Sequence, residues 1–292
     1  MKPNIMIFTN GFEGTWPAIQ YGAWIAKSMH ARLLLTGIVE SGDENHPVED
    51  IFSKAVSLFQ EFEIDYSLEL ENGLAEDVIM RHTELQKPSQ TNDPEQMLIL
   101  GPFGRAQVRK LLVGKSFRKI MSAVTAPILY IPAMRVPLKR VLICMGGLDY
   151  SFAAEHLGLK VAQMNQSSIT LLTVVPPIDL DYPEARKIRD NWKNLVETDT
   201  TQGRSLREGL KMARETGLEA RVTVRHGNIV EQILAEIKEG EYDLVCMGSQ
   251  YSTKGLRQYY TPNITADVAE SSVCPILTVR YLEAPGSNPT TA

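Results

Sequence analysis

The triplet Gly114-Lys115-Ser116 is the first part of the sequence whose residue types suggest chemistry, because the same triplet ends the phosphate-binding Walker loop. A Walker loop also needs a glycine five positions before the glycine of the triplet, and Arg109 stands there. A bulky side chain at that position prevents the tight turn in which backbone N–H groups surround phosphates. The triplet alone therefore does not predict a Walker-type site.

A second pair of glycines, Gly101 and Gly104, directly follows the apolar run 96–100, and nine residues separate Gly104 from Gly114. Backbone N–H groups of such a loop, and those at the start of a helix after Gly114, can face the phosphates of a nucleotide. Such a loop and helix start would together make a phosphate-binding cradle wider than a Walker loop if the surrounding elements belong to a nucleotide-binding fold.

Composition limits the function classes. The chain has 292 residues, 43% of them hydrophobic, and a formal net charge of −5. These values predict two globular domains, and the lack of clustered basic residues argues against nucleic-acid binding. No apolar run approaches the ~20 residues that cross a bilayer. The three cysteines lie singly in apolar runs, as buried thiols do in a reducing compartment, and the five histidines show no metal-ligand spacing. We expect a cytoplasmic protein that binds neither a membrane nor a protein-held metal ion.

The elements that must position the glycines come in two similar copies. The stretch 4–40 parallels 140–177, and each gives an apolar strand, a glycine-containing turn, an amphipathic helix and a second apolar strand. Gly73 and Gly227 each open a later helix, and the closing strands APILYIP (126–132) and CPILTVR (274–280) also correspond. The strands are continuous apolar runs, which are typical of parallel sheets buried on both faces.

The repeat predicts an α/β fold of two tandem, doubly wound, parallel five-stranded sheets with helices on both faces. We expect a first domain over residues 1–133, a second over 138–282, and a flexible tail over 283–292. The ligand crevice of such a sheet lies at the carboxyl ends of the strands, where the winding reverses. The closing strands lie at sheet edges, so we expect them to pair the two halves with each other or with another subunit.

The order of these elements, the closing strand and the spacing Gly-x-x-Gly, nine residues, Gly together resemble the universal stress protein family. The resemblance covers nearly the whole chain as two tandem domains. It implies the adenine nucleotide alpha hydrolase-like fold, with the triphosphate lying on Gly101 and Gly104 and meeting the helix start at Gly114.

The resemblance also assigns the remaining contacts, with two departures. It implies that the ribose is held at Asn10-Gly11 and that the adenine edge meets main-chain groups near Val39. Asn10 replaces the acidic residue usual in the family. Lys115 stands where the family has Ser or Thr, and Ser116 follows one place later.

Two features of the predicted site are less well determined. Arg105 either lines the mouth of the cradle or belongs to a solvated helix face. In the second half Gly248 matches the first glycine, but Tyr251 occupies the place of the second. A tyrosine there obstructs a phosphate, so we expect the second site to be vacant or modified.

The resemblance implies a stress-linked regulatory protein that binds ATP or a related adenine nucleotide in its first domain, with Mg²⁺ accompanying the phosphates. We expect a homodimer or an intramolecular pseudo-dimer and a protein partner that the sequence does not identify. No catalytic group converges on the predicted crevice. The alternatives are a ligand-free interaction module of the same fold and a slow ATP hydrolase.

Overall fold

The first half of the chain alternates strands and helices in the predicted order. The computed structural model describes residues 4–40, 47–84, 96–104, 116–146, 149–177, 183–249 and 263–280. The first-half strands are β1 (Asn4–Thr9), β2 (Arg32–Val39), β3 (Tyr66–Asn72), β4 (Gln96–Leu100) and β5 (Ile128–Tyr130). The helices are α1 (Trp16–Met29), α2 (Val48–Glu61), α3 (Ala75–Glu84) and α4 (Ser116–Ala123), with a 3₁₀ turn at Glu13–Thr15.

The second half repeats this order and adds an extra helical segment after its second strand. Its strands are β6 (Arg140–Cys144), β7 (Ser168–Val175), β8 (Ala220–His226), β9 (Leu244–Ser249) and β10 (Ile276–Arg280). Its helices are α5 (Asp149–Asn165), α6 (Pro183–Asp190), α7 (Thr201–Glu215), α8 (Ile229–Gly240) and α9 (Ile264–Ser271), with a 3₁₀ helix at Trp192–Glu197.

The strands form one continuous ten-stranded sheet in the order β3-β2-β1-β4-β5-β10-β9-β6-β7-β8. All pairs within a half are parallel, and each half reverses its winding between its first and fourth strands. This confirms the predicted fold of two tandem, doubly wound five-stranded units.

The two halves meet at their closing strands. β5 and β10 pair antiparallel, with Leu129 opposite Leu277, so the prediction that these edge strands pair the halves is confirmed. Beside this seam, Arg118 of α4 donates to Asp267 of α9, and its Nε lies 3.3 Å from Glu270 Oε1. The backbone pairing and the ion pairs join the two units into one sheet.

The core has a layer on each face of the sheet, as continuous apolar strands require. In β1, Ile5 and Ile7 pack into one core cluster with α1, while Met6 and Phe8 pack into the other with α3 and α4. Cys144, Cys246 and Cys274 form no disulfide. Within the described residues, no helix has the length and apolar character needed to span a bilayer.

Candidate nucleotide-binding site

The predicted crevice forms at the carboxyl ends of β1 and β4. These strands are neighbours, with Phe8 opposite Leu100, so the residues that follow each strand emerge at the same edge of the sheet. β2 lies on the other side of β1. The structure therefore brings together the chain after Thr9, the chain after Leu100 and the end of β2, which is the switch point of the winding.

The turn after β1 is held by a chain of hydrogen bonds. Gly11 has φ 79°, a left-handed conformation that favours glycine, and its N–H donates to Thr9 Oγ1 at 3.2 Å. Thr15 Oγ1 donates to the Phe12 carbonyl at 2.7 Å. Since that bond uses the Thr15 hydroxyl proton, the Thr9 hydroxyl donates to Thr15 Oγ1 at 2.6 Å. Each hydroxyl proton in the turn thus has a defined acceptor.

Asn10 lies at the centre of this turn and is only 2% exposed. Its Oδ1 accepts a long hydrogen bond of 3.4 Å from the Phe12 N–H. Its Nδ2 is buried and has no hydrogen-bond partner among the described residues. A buried amide donor without a partner costs about 1–3 kcal/mol, so this atom is an unused hydrogen-bonding group at the predicted ribose position.

The glycines of the predicted cradle pack closely against the same turn. A β-carbon on Gly101 would lie 2.8 Å from Thr15 Cα and 3.2 Å from the Gly14 carbonyl oxygen. A β-carbon on Gly104 would lie 2.3 Å from the ring of Phe12. Both positions therefore require glycine because the β4 loop contacts the β1 turn. The sequence analysis did not identify this packing role.

The end of β2 is tied to the start of α3. The Val39 carbonyl accepts a 3.1 Å hydrogen bond from the Gly73 N–H, and Glu40 Oε1 accepts a 2.9 Å bond from the Ala75 N–H. Glu40 is 3% exposed and was not identified from the sequence, because its contact lies 35 residues away along the chain. Val39 remains 41% exposed beside the crevice.

A cavity of about 360 Å³ opens beside the β1 turn and the first turns of α2, where Gly11, Glu13, Asp50 and Lys54 are among the lining residues. Lys54 Nζ lies 3.3 Å from Glu13 Oε2. The volume falls within the range of small-molecule sites, about 300–1,000 Å³.

Several predicted site residues lie outside the described part of the chain. These are Arg105, Gly114 and Lys115, and Tyr251 in the second half. Ser116 begins α4, and its side chain is not described. The predictions for these residues remain predictions.

In the second half, the described part of the corresponding region is the end of β9 and the start of α9. Thr265 Oγ1 of α9 donates to the Gly248 carbonyl at 3.0 Å, and Asn263 Oδ1 caps α9 by accepting from the Ala266 N–H at 3.1 Å. Asn263 Nδ2, like Asn10 Nδ2, is buried without a partner among the described residues. The start of α9 thus contacts the end of β9.

Comparison with known proteins supports the fold. Residues 137–280 match the universal stress protein family. A universal stress protein from Archaeoglobus fulgidus is 14% identical, with 96% of this chain and 99% of that chain covered and a TM-score of 0.64. A functionally unknown protein from Pseudomonas aeruginosa PAO1 is 11% identical, with 95% of this chain and 92% of that chain covered and a TM-score of 0.62. At these identities the likeness shows the fold alone.

A universal stress protein family protein from Arabidopsis thaliana with AMP bound is 18% identical over 52% of this chain and 97% of that chain, with a TM-score of 0.35. At that score the likeness says nothing about a ligand here. No curated protein sequence matches the chain. The second half of the chain, residues 137–280, is therefore a domain of the universal stress protein family, and the first half shares its fold.

Proposed function

We propose that the protein is a stress-linked regulatory protein that binds ATP or a related adenine nucleotide in its first half. The observation that carries this proposal is Asn10, whose buried Nδ2 has no partner among the described residues. A ribose hydroxyl in the crevice accepts a hydrogen bond from this atom. This hydrogen bond removes the unfavourable free energy of a buried, unpaired donor, which is about 1–3 kcal/mol.

The surroundings of Asn10 suit the rest of an adenine nucleotide. The cavity beside Gly11 gives room for part of the ligand, and the exposed Val39 lies at the end of the adjacent strand. In the proposal, the phosphates extend toward Gly101, Gly104 and the start of α4, where Gly114, Lys115 and Ser116 complete the cradle. An exposed helix N-terminus stabilises a nearby anion by about 0.3–1 kcal/mol. In the proposal, Mg²⁺ binds together with the nucleotide through its phosphates.

The second candidate is a ligand-free interaction module of the same fold. It is favoured by one observation, the packing of the Phe12 ring against both Gly104 and Gly14. This packing explains the Gly104 position without a ligand. In this candidate the first half acts only as a structural partner for the second.

The setting of the proposed function is the cytoplasm, where three cysteines without a disulfide are stable. The protein would act there as a pseudo-dimer through its β5–β10 seam or as a homodimer, and it would pass its nucleotide state to a partner protein.

A thermal-shift experiment with matched variants tests the proposal. We expect ATP to raise the melting temperature of the wild type and N10L to abolish the rise. N10D, which restores the acidic residue usual in the family, should keep the rise because its carboxylate accepts a hydrogen bond from the ribose hydroxyl in place of the donor that Asn10 supplies. N263D removes a buried, unpartnered amide donor from the second half, at a position not equivalent to Asn10, while keeping the cap on α9, so it should respond as the wild type does.

Three outcomes would contradict the proposal. The absence of any ATP-induced rise in the wild type, together with no nucleotide released on denaturing the purified protein, would favour the ligand-free candidate. An unchanged rise in N10L would remove Asn10 from the site. Loss of the rise in N263D alone would place the site in the second half.

A further inference from the structure

Two glutamates and a histidine converge on one face of the sheet, at its outer strand β3. Glu69 and Glu71 are two positions apart on β3, so both side chains lie on the same face, and His82 lies on α3 above them. His82 Nε2 is 2.5 Å from Glu71 Oε1 and 3.8 Å from Glu69 Oε2. One ligand-type atom from each residue lies within 4.8 Å of the other two.

The cluster is oriented by its neighbours. The ring of His82 meets the buried ring of Phe8 edge to face, with centroids 5.5 Å apart, and only 15% of the His82 side chain is exposed. Arg81 donates to Glu71 Oε2 at 2.7 Å, which leaves Oε1 directed at the imidazole.

The same place in the second half shows that the fold does not require this cluster. Gly73 and Gly227 have φ near 140° and donate to the carbonyls of Val39 and Val175, so they are equivalent. Counting from these glycines, the counterparts of the three cluster residues are Thr223, Arg225 and Glu236.

In the second half an arginine stands at this place and pairs with two carboxylates, those of Glu236 and Glu239. Arg225 Nε donates to Glu236 Oε2 at 2.6 Å, and the Tyr242 hydroxyl donates to Glu236 Oε1 at 2.7 Å. In the first half, two carboxylates face one imidazole, and Arg81 approaches the outer oxygen of only one of them. The first-half cluster thus brings together an imidazole nitrogen and carboxylate oxygens, which can all donate electron pairs to a metal ion.

We propose that Glu69, Glu71 and His82 bind a divalent transition-metal ion of the zinc class through His82 Nε2 and one oxygen of each glutamate. Zinc binds imidazole nitrogen at about 2.0–2.1 Å and carboxylate oxygen at about 2.0–2.2 Å. Binding widens the Nε2–Oε1 separation from its present 2.5 Å, and Glu69, whose side chain is 49% exposed, turns to meet the ion.

The choice of metal follows from the donor set. Imidazole together with carboxylate suits zinc and its first-row neighbours, whereas Mg²⁺ and Ca²⁺ prefer oxygen donors alone. Arg81 serves as the outer contact that orients Glu71, a role that supporting hydrogen bonds commonly have around metal-binding carboxylates. The spacing of the histidines gave no indication of this site, because its ligands come from two different elements.

Calorimetric titration of the full chain with ZnCl₂ and with MgCl₂ tests the proposal. We expect saturable Zn²⁺ binding that the same concentrations of Mg²⁺ do not reproduce. Since loss of a supporting contact alone lowers metal affinity by about 10- to 100-fold, loss of a ligand in H82Q or E69Q should lower it by at least about tenfold. H226Q, which removes an exposed imidazole of the second half, should bind as the wild type does.

The proposal is overturned if the wild type shows no saturable Zn²⁺ binding, or if H82Q and E69Q retain wild-type affinity. The second result would also be seen if zinc were bound by the cysteines. If H82Q fails to fold, E69Q decides alone, because Glu69 lies on the exposed edge strand and its change to Gln keeps its shape.

Discussion

The two halves of the chain share a strand order and the same packing glycines, yet they place different chemistry at equivalent positions. Gly22 of α1 and Gly158 of α5 are counterparts, since a β-carbon on either would meet the equivalent strand residue, Ile7 or Ile143. Three positions before each glycine, the first half has Ile19 and the second has Glu155. Both side chains are at most 1% exposed. An apolar core position in one half is therefore a buried carboxyl in the other.

The outer strands differ in the same direction. In the second half, Arg225 and Glu236 form an ion pair in which the Glu236 side chain is only 7% exposed. In the first half, the equivalent Glu71 belongs to a more exposed cluster with His82 and Arg81. At these two places the second half buries charged groups, whereas the first half has an apolar side chain at one place and a more exposed cluster at its rim at the other.

The largest effect should come from breaking the buried pair of the second half. R225M leaves Glu236 buried without its cation, and loss of one partner of a buried pair costs about 3–5 kcal/mol. R81M removes the exposed cation of the first-half cluster, which pairs with Glu71, and should cost less than about 1 kcal/mol. Urea unfolding compares the two free energies of unfolding. Equal losses would refute the distinction between a buried and a rim cluster.

The next largest change in the free energy of unfolding should come from replacing Glu155. Neither of its carboxylate oxygens has a hydrogen-bond partner among the described residues, and Oε1 lies 2.5 Å from where a β-carbon on Gly209 would stand. E155I, which copies Ile19 of the first half, should raise the free energy of unfolding by about 1–3 kcal/mol at pH 8. A destabilised E155I would show that the carboxyl has a structural role that the apolar counterpart cannot fill.

Because of Glu155, we also expect the stability of the fold to depend on pH. Burial, with a smaller contribution from Glu208, raises the pKa of Glu155 to about 7. Because the folded pKa lies above the unfolded one, the protonated carboxyl stabilises the fold at low pH, and this stability is lost as pH rises through about 7. The free energy of unfolding should fall by at most about 1.4 kcal/mol per pH unit, and E155Q should abolish this pH dependence. An equal slope in E155Q would assign the dependence to another group.

These predictions rest on contacts that the sequence pattern did not contain. The continuous apolar strands, the paired halves and the closing strands were readable, because strand burial and repeats leave local signals. Glu155 shows the limit, since a single polar residue in a helical segment gives no sign of the side on which it lies. Glu40 and Phe12 show the same limit, because their contacts with α3 and Gly104 join distant segments.

The smallest effect should come from the seam between the halves. R118M removes the cation that joins α4 to Asp267 and Glu270 of α9, and 20–35% of these side chains is exposed. We expect a loss of about 1 kcal/mol or less that shrinks further at high salt, because the β5–β10 backbone pairing remains. Separate unfolding transitions of the two halves in R118M would show that the ion pairs, rather than the strands, couple them.

The stoichiometry of ATP binding tests the difference between the halves most directly. Calorimetric titration of the full chain with ATP in the presence of Mg²⁺ should give one site per chain, absent in N10L and retained in N263D. Two sites per chain, or one site that persists in N10L and disappears in N263D, would contradict the assignment of the nucleotide to the first half. No binding at any ATP concentration near its cellular level would contradict the proposed function itself.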